Sequence, residues 1–204
     1  MQLLEAVVKI FVNDLLKNLA SEMSEERNKI RFKVFLGSVI LHSVLGTCDR
    51  LRTACGIVKN KRLRGVGYNG SVSGLPHCDD AGHLMDDNHC IATRHGEANA
   101  ISNTAREDLR GGEAIVIATP CINCIKDLAE EGVKKVDYLG NYANARGKEH
   151  LEAIAHAKGM VLKQHEIDLA DLFQNLFDLL ARKGGALQRA GYRLKVVKEP
   201  LEKD

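Results

Sequence analysis

Ala114-Ile115-Val116-Ile117-Ala118-Thr119-Pro120-Cys121-Ile122-Asn123-Cys124 reads as a strand that turns into a helix at a proline. The β-branched run over 114–118 suits a buried strand. Pro120 suits a helix entry, because it lacks the N–H that a first turn cannot use. Cys121 and Cys124 then share one face of that turn, where the positive end of the helix dipole lowers thiol pKa. Upstream, His95-Gly96-Glu97 opens another helical stretch, over 95–108. One imidazole and two thiolates make a zinc donor set, and three protein ligands leave one tetrahedral position open, as catalytic sites do. Glu97 as a fourth ligand would close the site; it is better used to move protons beside the open position. An isolated Cys-x-x-Cys is as readily a zinc knuckle or a redox pair. The order of the two halves, their spacing and the acid beside the histidine decide for catalytic zinc on His95, Cys121 and Cys124, with Glu97 as the catalytic residue.

Outward from this stretch, helix and strand alternate: helix 95–108, strand 114–118, helix 121–132, strand 133–139, helix 147–158 and strand 160–163. Such alternation implies an α/β fold with a largely parallel sheet and helices on its faces. Ahead of it, 55–70 reads as a hairpin turning at Asn60-Lys61. Residues 70–94 form a long irregular stretch of the kind that is functional or held by something other than secondary structure. Leu4, Val7, Val8, Phe11 and Leu15 give residues 1–20 one apolar helical stripe, suited to docking on the core or on a second subunit. The polar run over 20–30 reads as a linker, with Ser24 capping a further helix over 25–45. Another amphipathic helix spans 166–182, and Gly184-Gly185 ends it before a basic, mobile tail. Three segments result: an N-terminal helix and linker (1–30), a central domain (31–164) and a C-terminal helix and tail (165–204).

Composition narrows the function classes. Of 204 residues, 45% are apolar and 27% charged, which is ordinary for a globular chain. A net charge of +2, no tryptophan and only 4% aromatic residues argue against a groove that holds unstacked bases. No apolar run is long enough to span a bilayer. The N-terminus is apolar on one face but carries Glu5, Asp14 and lysines throughout, and it lacks the layout of a signal peptide. A cytoplasmic protein with reduced or metal-bound thiols is therefore expected for the six cysteines.

His-x-Glu followed by Pro-Cys-x-x-Cys is the pattern of zinc-dependent nucleobase deaminases. Further segments sharpen the likeness: Thr47-Cys48-Asp49-Arg50, Gly67-Tyr68-Asn69-Gly70, Gly74-Leu75-Pro76-His77-Cys78-Asp79, Gly82-His83 and Asn88-His89-Cys90-Ile91. With them, residues 32–164 resemble the deoxycytidylate (dCMP) deaminases. The two zinc motifs are shared by many deaminases; the Gly-Tyr-Asn-Gly and His-Cys-Asp segments are more specific to the dCMP branch.

That resemblance implies a three-layer αβα cytidine-deaminase-like fold with a central mixed five-stranded sheet and extra terminal helices. It implies hydrolysis of dCMP to dUMP and ammonia, supplying thymidylate synthesis, by a homo-oligomer (dimer to hexamer) with dCTP and dTTP as effectors. By the same resemblance, Asn69 contacts the sugar, the backbone at Ala54 and Cys55 lines the pyrimidine pocket, and Tyr142 packs near the ligand. Some family members carry a second, structural zinc in the region of the long insert. Here Cys48, Cys78, His83 and Cys90 are the preferred ligands, with His77 and His89 as substitutes; buried thiols and solvent-facing imidazoles are the plainer alternative. Arg50, Arg52, Lys59, Arg94 and Arg106 are the cations available to a phosphate, and Arg50 is preferred because it lies in a matching motif.

Some positions depart from the family pattern. Gly96 stands where alanine is common, which costs helix stability and widens the pocket floor. Ala118-Thr119 replaces a bulky aromatic, Thr53-Ala54-Cys55-Gly56 replaces a more usual Val-Gly-Ala-Val, and Gly46 stands where a serine often helps bind phosphate. The exact cytosine nucleotide therefore stays open at the level of sequence. So do a deaminase acting on a base in nucleic acid and a zinc-stapled interaction or regulatory protein, though the intact Glu97 speaks against the last.

Overall fold

A computed structural model of the chain describes residues 2–140 and 147–199. The chain divides into two units, Met1–Val34 and Phe35–Asp204. The first belongs to helix α1 (Gln2–Ser43), which is continuous. The linker expected over 20–30 is helical, and Ser24 is an interior residue, not a cap. The reason is local: this run contains no glycine or proline and is rich in Glu, Arg and Lys, all good helix formers. Glu25 and Lys29 add an ion pair of 2.8 Å one turn apart. On this stretch Leu15, Leu16, Leu19 and Met23 are exposed.

The second unit is built on a five-stranded sheet. Strands β1 (Ala54–Lys59) and β2 (Arg62–Tyr68) form an antiparallel hairpin. Its two-residue turn places Asn60 and Lys61 at φ 52° and 60°, the left-handed pair that matches strand twist. The stretch over 70–94 is not irregular throughout. It holds β3 (Gly70–Ser71), α2 (Cys78–Ala81), β4 (Met85–Asp86), β5 (His89–Cys90) and β6 (Thr93–Arg94). Strands β4 and β5 make a second tight hairpin, with Asp87 and Asn88 also left-handed, while β3 pairs with β6.

Helix α3 (Gly96–Ser102) and a separate turn α4 (Arg106–Leu109) replace the single helix expected over 95–108. Then follow β7 (Glu113–Val116), α5 (Ile122–Glu130), β8 (Lys135–Tyr138), α6 (Leu151–Ala157) and β9 (Val161–Gln164). The sheet order is β2-β1-β7-β8-β9. Strands β7, β8 and β9 run parallel, and β1 meets β7 antiparallel. The sheet is thus mixed, as the resemblance implied, and parallel only where helices supply the crossovers. Cys55, Ile57, Val116, Ile125, Leu128 and Val136 form the dry centre of its core.

Helix α7 (Leu169–Leu180) is capped by the Asp168 carboxylate, which accepts from the N–H groups of Ala170 and Asp171. The tail expected to be mobile contains α8 (Ala186–Ala190). It is tied to α7 through Gln174, whose carbonyl accepts from Val196 N at 2.9 Å. Among the described residues no helix is long and apolar enough to cross a membrane.

One close approach sets the depth of the later site. A Cβ on Gly67 of β2 would lie 2.1 Å from Ala100 N and 2.5 Å from Gly96 O, both backbone of the α3 turn. Gly67→Ala therefore forces the helix off the hairpin. The expected cost is about 2–3 kcal/mol, a Tm lower by roughly 4–12 °C, read by calorimetry or circular dichroism. An unchanged Tm would contradict this contact.

Candidate active site

His95 and Cys121 occupy equivalent places, each the N-cap of its helix, α3 and α5, in extended backbone. Neither side chain caps its helix. They turn toward one another instead. His95 Nδ1 lies 3.3 Å from Cys124 Sγ and 3.6 Å from Cys121 Sγ, and the two sulfurs are 3.5 Å apart. The edges of a tetrahedron with zinc–sulfur bonds of ~2.3 Å and zinc–nitrogen bonds of ~2.0–2.1 Å are roughly 3.5–3.8 Å, so this triangle of donors fits zinc. The Cys121 thiol is pushed down to about 3, first by its hydrogen bond with Cys124 and then by His95. Cys124, buried, is pushed the other way by the same bond. A pair poised to hold one thiolate already is a pair a cation can complete.

The Glu97 carboxylate is not part of that donor group. It sits in the first turn of α3, 5% exposed, and burial raises its pKa. It shares the wall of a cavity of about 320 Å³ with His95 and Cys121. Gly96 between them is buried, and a Cβ there would meet Ala54 Cα and Gly67 O at 3.2 Å. The glycine thus serves close packing beneath the strand and does not widen the pocket, contrary to the expectation from sequence.

The other sequence candidates distribute unevenly. Asn69 and Arg50 line the cavity. The Asn69 amide is largely engaged: Oδ1 accepts from Thr53 N at 2.9 Å and Nδ2 donates to Leu51 O at 2.8 Å. It clamps the wall, and only its remaining lone pair and proton are left for a ligand. Ala54 and Cys55 do not line the cavity; both are buried, Cys55 in the main core, and Leu51 and Thr53 form the wall in their place. Tyr142 lies outside the described residues. Of the cations, Arg50 donates to Asn88 O at 3.1 Å. Arg52 is bound to Gly46 O and, at 3.0 Å, to Asp79. Arg94 is bound to Ser102, Arg106 to Glu131 and Lys59 to Arg110 O, and none of these four is on the cavity wall. Asn123, inside the Cys-x-x-Cys turn, and Ile91, beside Cys90, also line the cavity. Sequence reasoning missed both, although each adjoins a motif it had found.

A second cluster lies in the insert. The ligand atoms of Cys48, Cys78, His83 and Cys90 all fall within 4.8 Å of one another. Cys48 Sγ is 3.7 Å from His83 Nδ1, and Cys78 Sγ is 3.5 Å from Cys90 Sγ. The other ring nitrogen of His83 meets Asp49 Oδ1 at 2.8 Å, the carboxylate–histidine arrangement that orients metal ligands. His77 is the N-cap of α2, and His89 is on the cavity wall; neither joins the cluster.

The model for the zinc-binding region of cytidine and deoxycytidylate deaminases matches residues 18–140. The chain belongs to this family. The ComE operon protein 2 of Bacillus subtilis is 35% identical over 136 residues, covering 66% of this chain and 70% of that protein. The deoxycytidylate deaminase of Mycobacterium phage D29 is 31% identical over 116 residues, covering 51% of this chain and 90% of the phage protein. The crystal structure of the dCMP deaminase of cyanophage S-TIM5, in complex with dCMP and dUMP, superposes with a TM-score of 0.52 at 23% identity. That likeness, over 65% of this chain and 94% of the phage chain, shows the fold: a mixed five-stranded sheet with flanking helices.

The two donor sets make separable predictions. Cys124→Ser is expected to remove one equivalent of zinc per chain and Cys78→Ser a different one, each near ~1 because the donor atoms of each set lie close enough together for a single ion. Elemental analysis of the purified variants measures this; unchanged stoichiometry in either would refute that ligand set.

Proposed function

We propose that this family member hydrolyses dCMP to dUMP and ammonia, supplying thymidylate synthesis. The observation that carries the reading is a buried carboxylate, Glu97, beside a His/Cys/Cys donor set on one wall of a nucleotide-sized cavity. The cavity stands near the lower end of the ~300–1,000 Å³ range of small-ligand sites. Membership of the family and the activity named for the phage relative support it.

His95, Cys121 and Cys124 would hold the catalytic zinc. When bound, zinc supplies a Lewis acid that makes water nucleophilic near neutral pH. Glu97 takes one proton from the attacking water and gives it to the pyrimidine ring nitrogen, then takes the second from the hydroxyl now on the ring carbon and gives it to the amine, which leaves as ammonia. Its burial suits the task, because a raised pKa brings a carboxyl group nearer to the proton affinity of the groups it serves. Arg50 lines the same cavity, which supports it as the cation that would meet the 5′-phosphate. Cys48, Cys78, His83 and Cys90 would hold a second zinc in a closed, structural set, with Asp49 fixing His83. In this reading the enzyme works in the cytoplasm as a homo-oligomer responsive to dCTP and dTTP, and the exposed leucines of α1 favour self-association.

Glu97→Gln is expected to keep zinc and fold while lowering kcat on dCMP by ~10²–10⁴-fold or more; a loss below about tenfold would remove Glu97 from proton transfer. For the substrate, kcat/KM for dCMP is expected to exceed that for deoxycytidine and for single-stranded DNA by at least ~100-fold, about 2.7 kcal/mol. Arg50→Ala should erase much of that margin and spare the slow reaction on the nucleoside. Equal rates on nucleoside and nucleotide in the unaltered protein would overturn the substrate, leaving the chemistry in place.

A further inference from the structure

Helix α1 makes the unit Met1–Val34 by itself: among the described residues, no other helix or strand belongs to that unit. Along it Leu15, Leu16, Leu19, Met23 and Val34 are each between 42% and 58% exposed. At 3.6 residues per turn these five, with Ile30, fall within one arc of about 100°. Single exposed leucines are ordinary, but a continuous stripe of them marks a contact surface. Packing of an apolar face is also what stabilises most helices, and the single chain leaves this face uncovered.

The charges beside the stripe say which partner fits. Glu22, Glu25 and Glu26 form an acidic block, followed by the basic Arg27, Lys29, Arg31 and Lys33. Leu16, Met23 and Ile30 recur every seven residues, as do Leu19, Glu26 and Lys33, and the two columns together make a coiled-coil seam. A parallel copy in register would set Glu26 against Glu26 and Lys33 against Lys33, like charges inside the seam. Turning the copy round removes both clashes. Leu19 then meets Ile30, Met23 meets Glu26, and Leu16 meets Lys33, whose alkyl stem can cover the leucine while its ammonium reaches water. Along one flank Glu22 meets Lys29 of the other copy, twice by symmetry. Lys29 is already held by Glu25 of its own helix at 2.8 Å, so each such contact joins an existing ion pair. Exposed pairs of this kind add little affinity and mainly fix orientation; the apolar stripe supplies the attraction.

We propose that residues 15–34 of α1 are the docking surface for the same segment of a second copy of this chain, the two helices running antiparallel. This rests on the self-association included in the reading above, and it is independent of the chemistry at His95, Cys121 and Cys124. The helix lies largely outside the sheet domain, and its sequence is complementary to its own reversed copy.

The test measures the mass of the full-length, zinc-loaded protein by light scattering across micromolar concentrations. Leu19→Asp should weaken self-association by at least ~100-fold, because a carboxylate enters the seam in both copies. Charge reversals then read the direction. Glu22→Lys and Lys29→Glu should each weaken self-association about tenfold, since each sets like charges together twice. Mixed one to one and allowed to exchange, the two variants should associate within about threefold of the unaltered protein, because opposite charges face each other again in both contacts. A parallel pair would behave differently: there Glu22 faces Arg27, so Glu22→Lys alone would weaken it and Lys29→Glu would not. Unchanged zinc content in every variant shows that the domain has folded. Three results overturn the proposal: an assembly whose mass Leu19→Asp leaves unchanged, the parallel pattern of charge effects, or an unaltered protein that stays monomeric and sediments with anionic phospholipid vesicles instead. The first two leave homo-oligomer formation standing, whereas a monomeric unaltered protein removes it as well. Absence of dCMP turnover would overturn the deaminase reading alone.

Discussion

Two helix N-termini aimed at one point are the constraint on which this molecule depends. Each carries partial positive charge from its unpaired N–H groups, so bringing them together around a cation is unfavourable unless negative charge is supplied there. Around a bound cation Cys121 and Cys124 would supply it as thiolates, with His95 as a neutral donor from the opposite helix. Both N-cap side chains give up the capping bond that a serine or aspartate would make, leaving His95 and Cys121 free to face each other. The site is therefore held by contacts made outside it. The Gly67 approach seats α3 on the hairpin, and the parallel pairing of β7 with β8 fixes the crossover through α5.

The opposite wall of the cavity belongs to the insert and is held by different means. Short hairpins and a single helical turn cannot bury enough apolar surface to order such a segment alone. Four successive features of one loop grip it instead. Cys48 enters the thiol cluster, Asp49 binds His83, Arg50 binds the Asn88 carbonyl and Arg52 binds Asp79. Asn69 in turn holds Leu51 and Thr53. This cavity wall is thus continuous with the Cys48, Cys78, His83 and Cys90 cluster, and cavity lining and local stability share the same few residues.

How much was legible in the sequence follows from the range of each interaction. The Cys-x-x-Cys turn, the acid two residues after His95, the alternation of helix and strand and the hairpin turn at Asn60-Lys61 are all encoded within a few residues of themselves. The cluster of Cys48, Cys78, His83 and Cys90 was legible as a set of residue types, because three side chains able to ligate a metal fall in one insert and a fourth lies just upstream. The linker over 20–30 was misread because polarity was taken for irregularity, when the same residues are good helix formers. Arg50 could be preferred over four other cations by motif alone, but the reason the others drop out lies in their partners, Asp79, Ser102, Glu131 and the Arg110 carbonyl.

What the sequence alone determined is residue type and spacing: the histidine and cysteines that cluster, the acid beside the histidine, and the α/β framework that spaces them. What only the tertiary structure decided is the surface a substrate meets. Ala54 and Cys55 are buried and not among the lining residues while Leu51, Thr53 and Asn123 are, and Asn69 clamps Leu51 and Thr53. Gly96 packs closely against Ala54 and Gly67 and is not a cavity-lining position. The physical reason is that ligand identity is a property of residue type and short spacing, whereas exposure to a cavity is set by strands and loops that meet from distant parts of the chain. A one-residue difference in which side of a strand faces inward exchanges wall for core, and no local signal in the sequence records it.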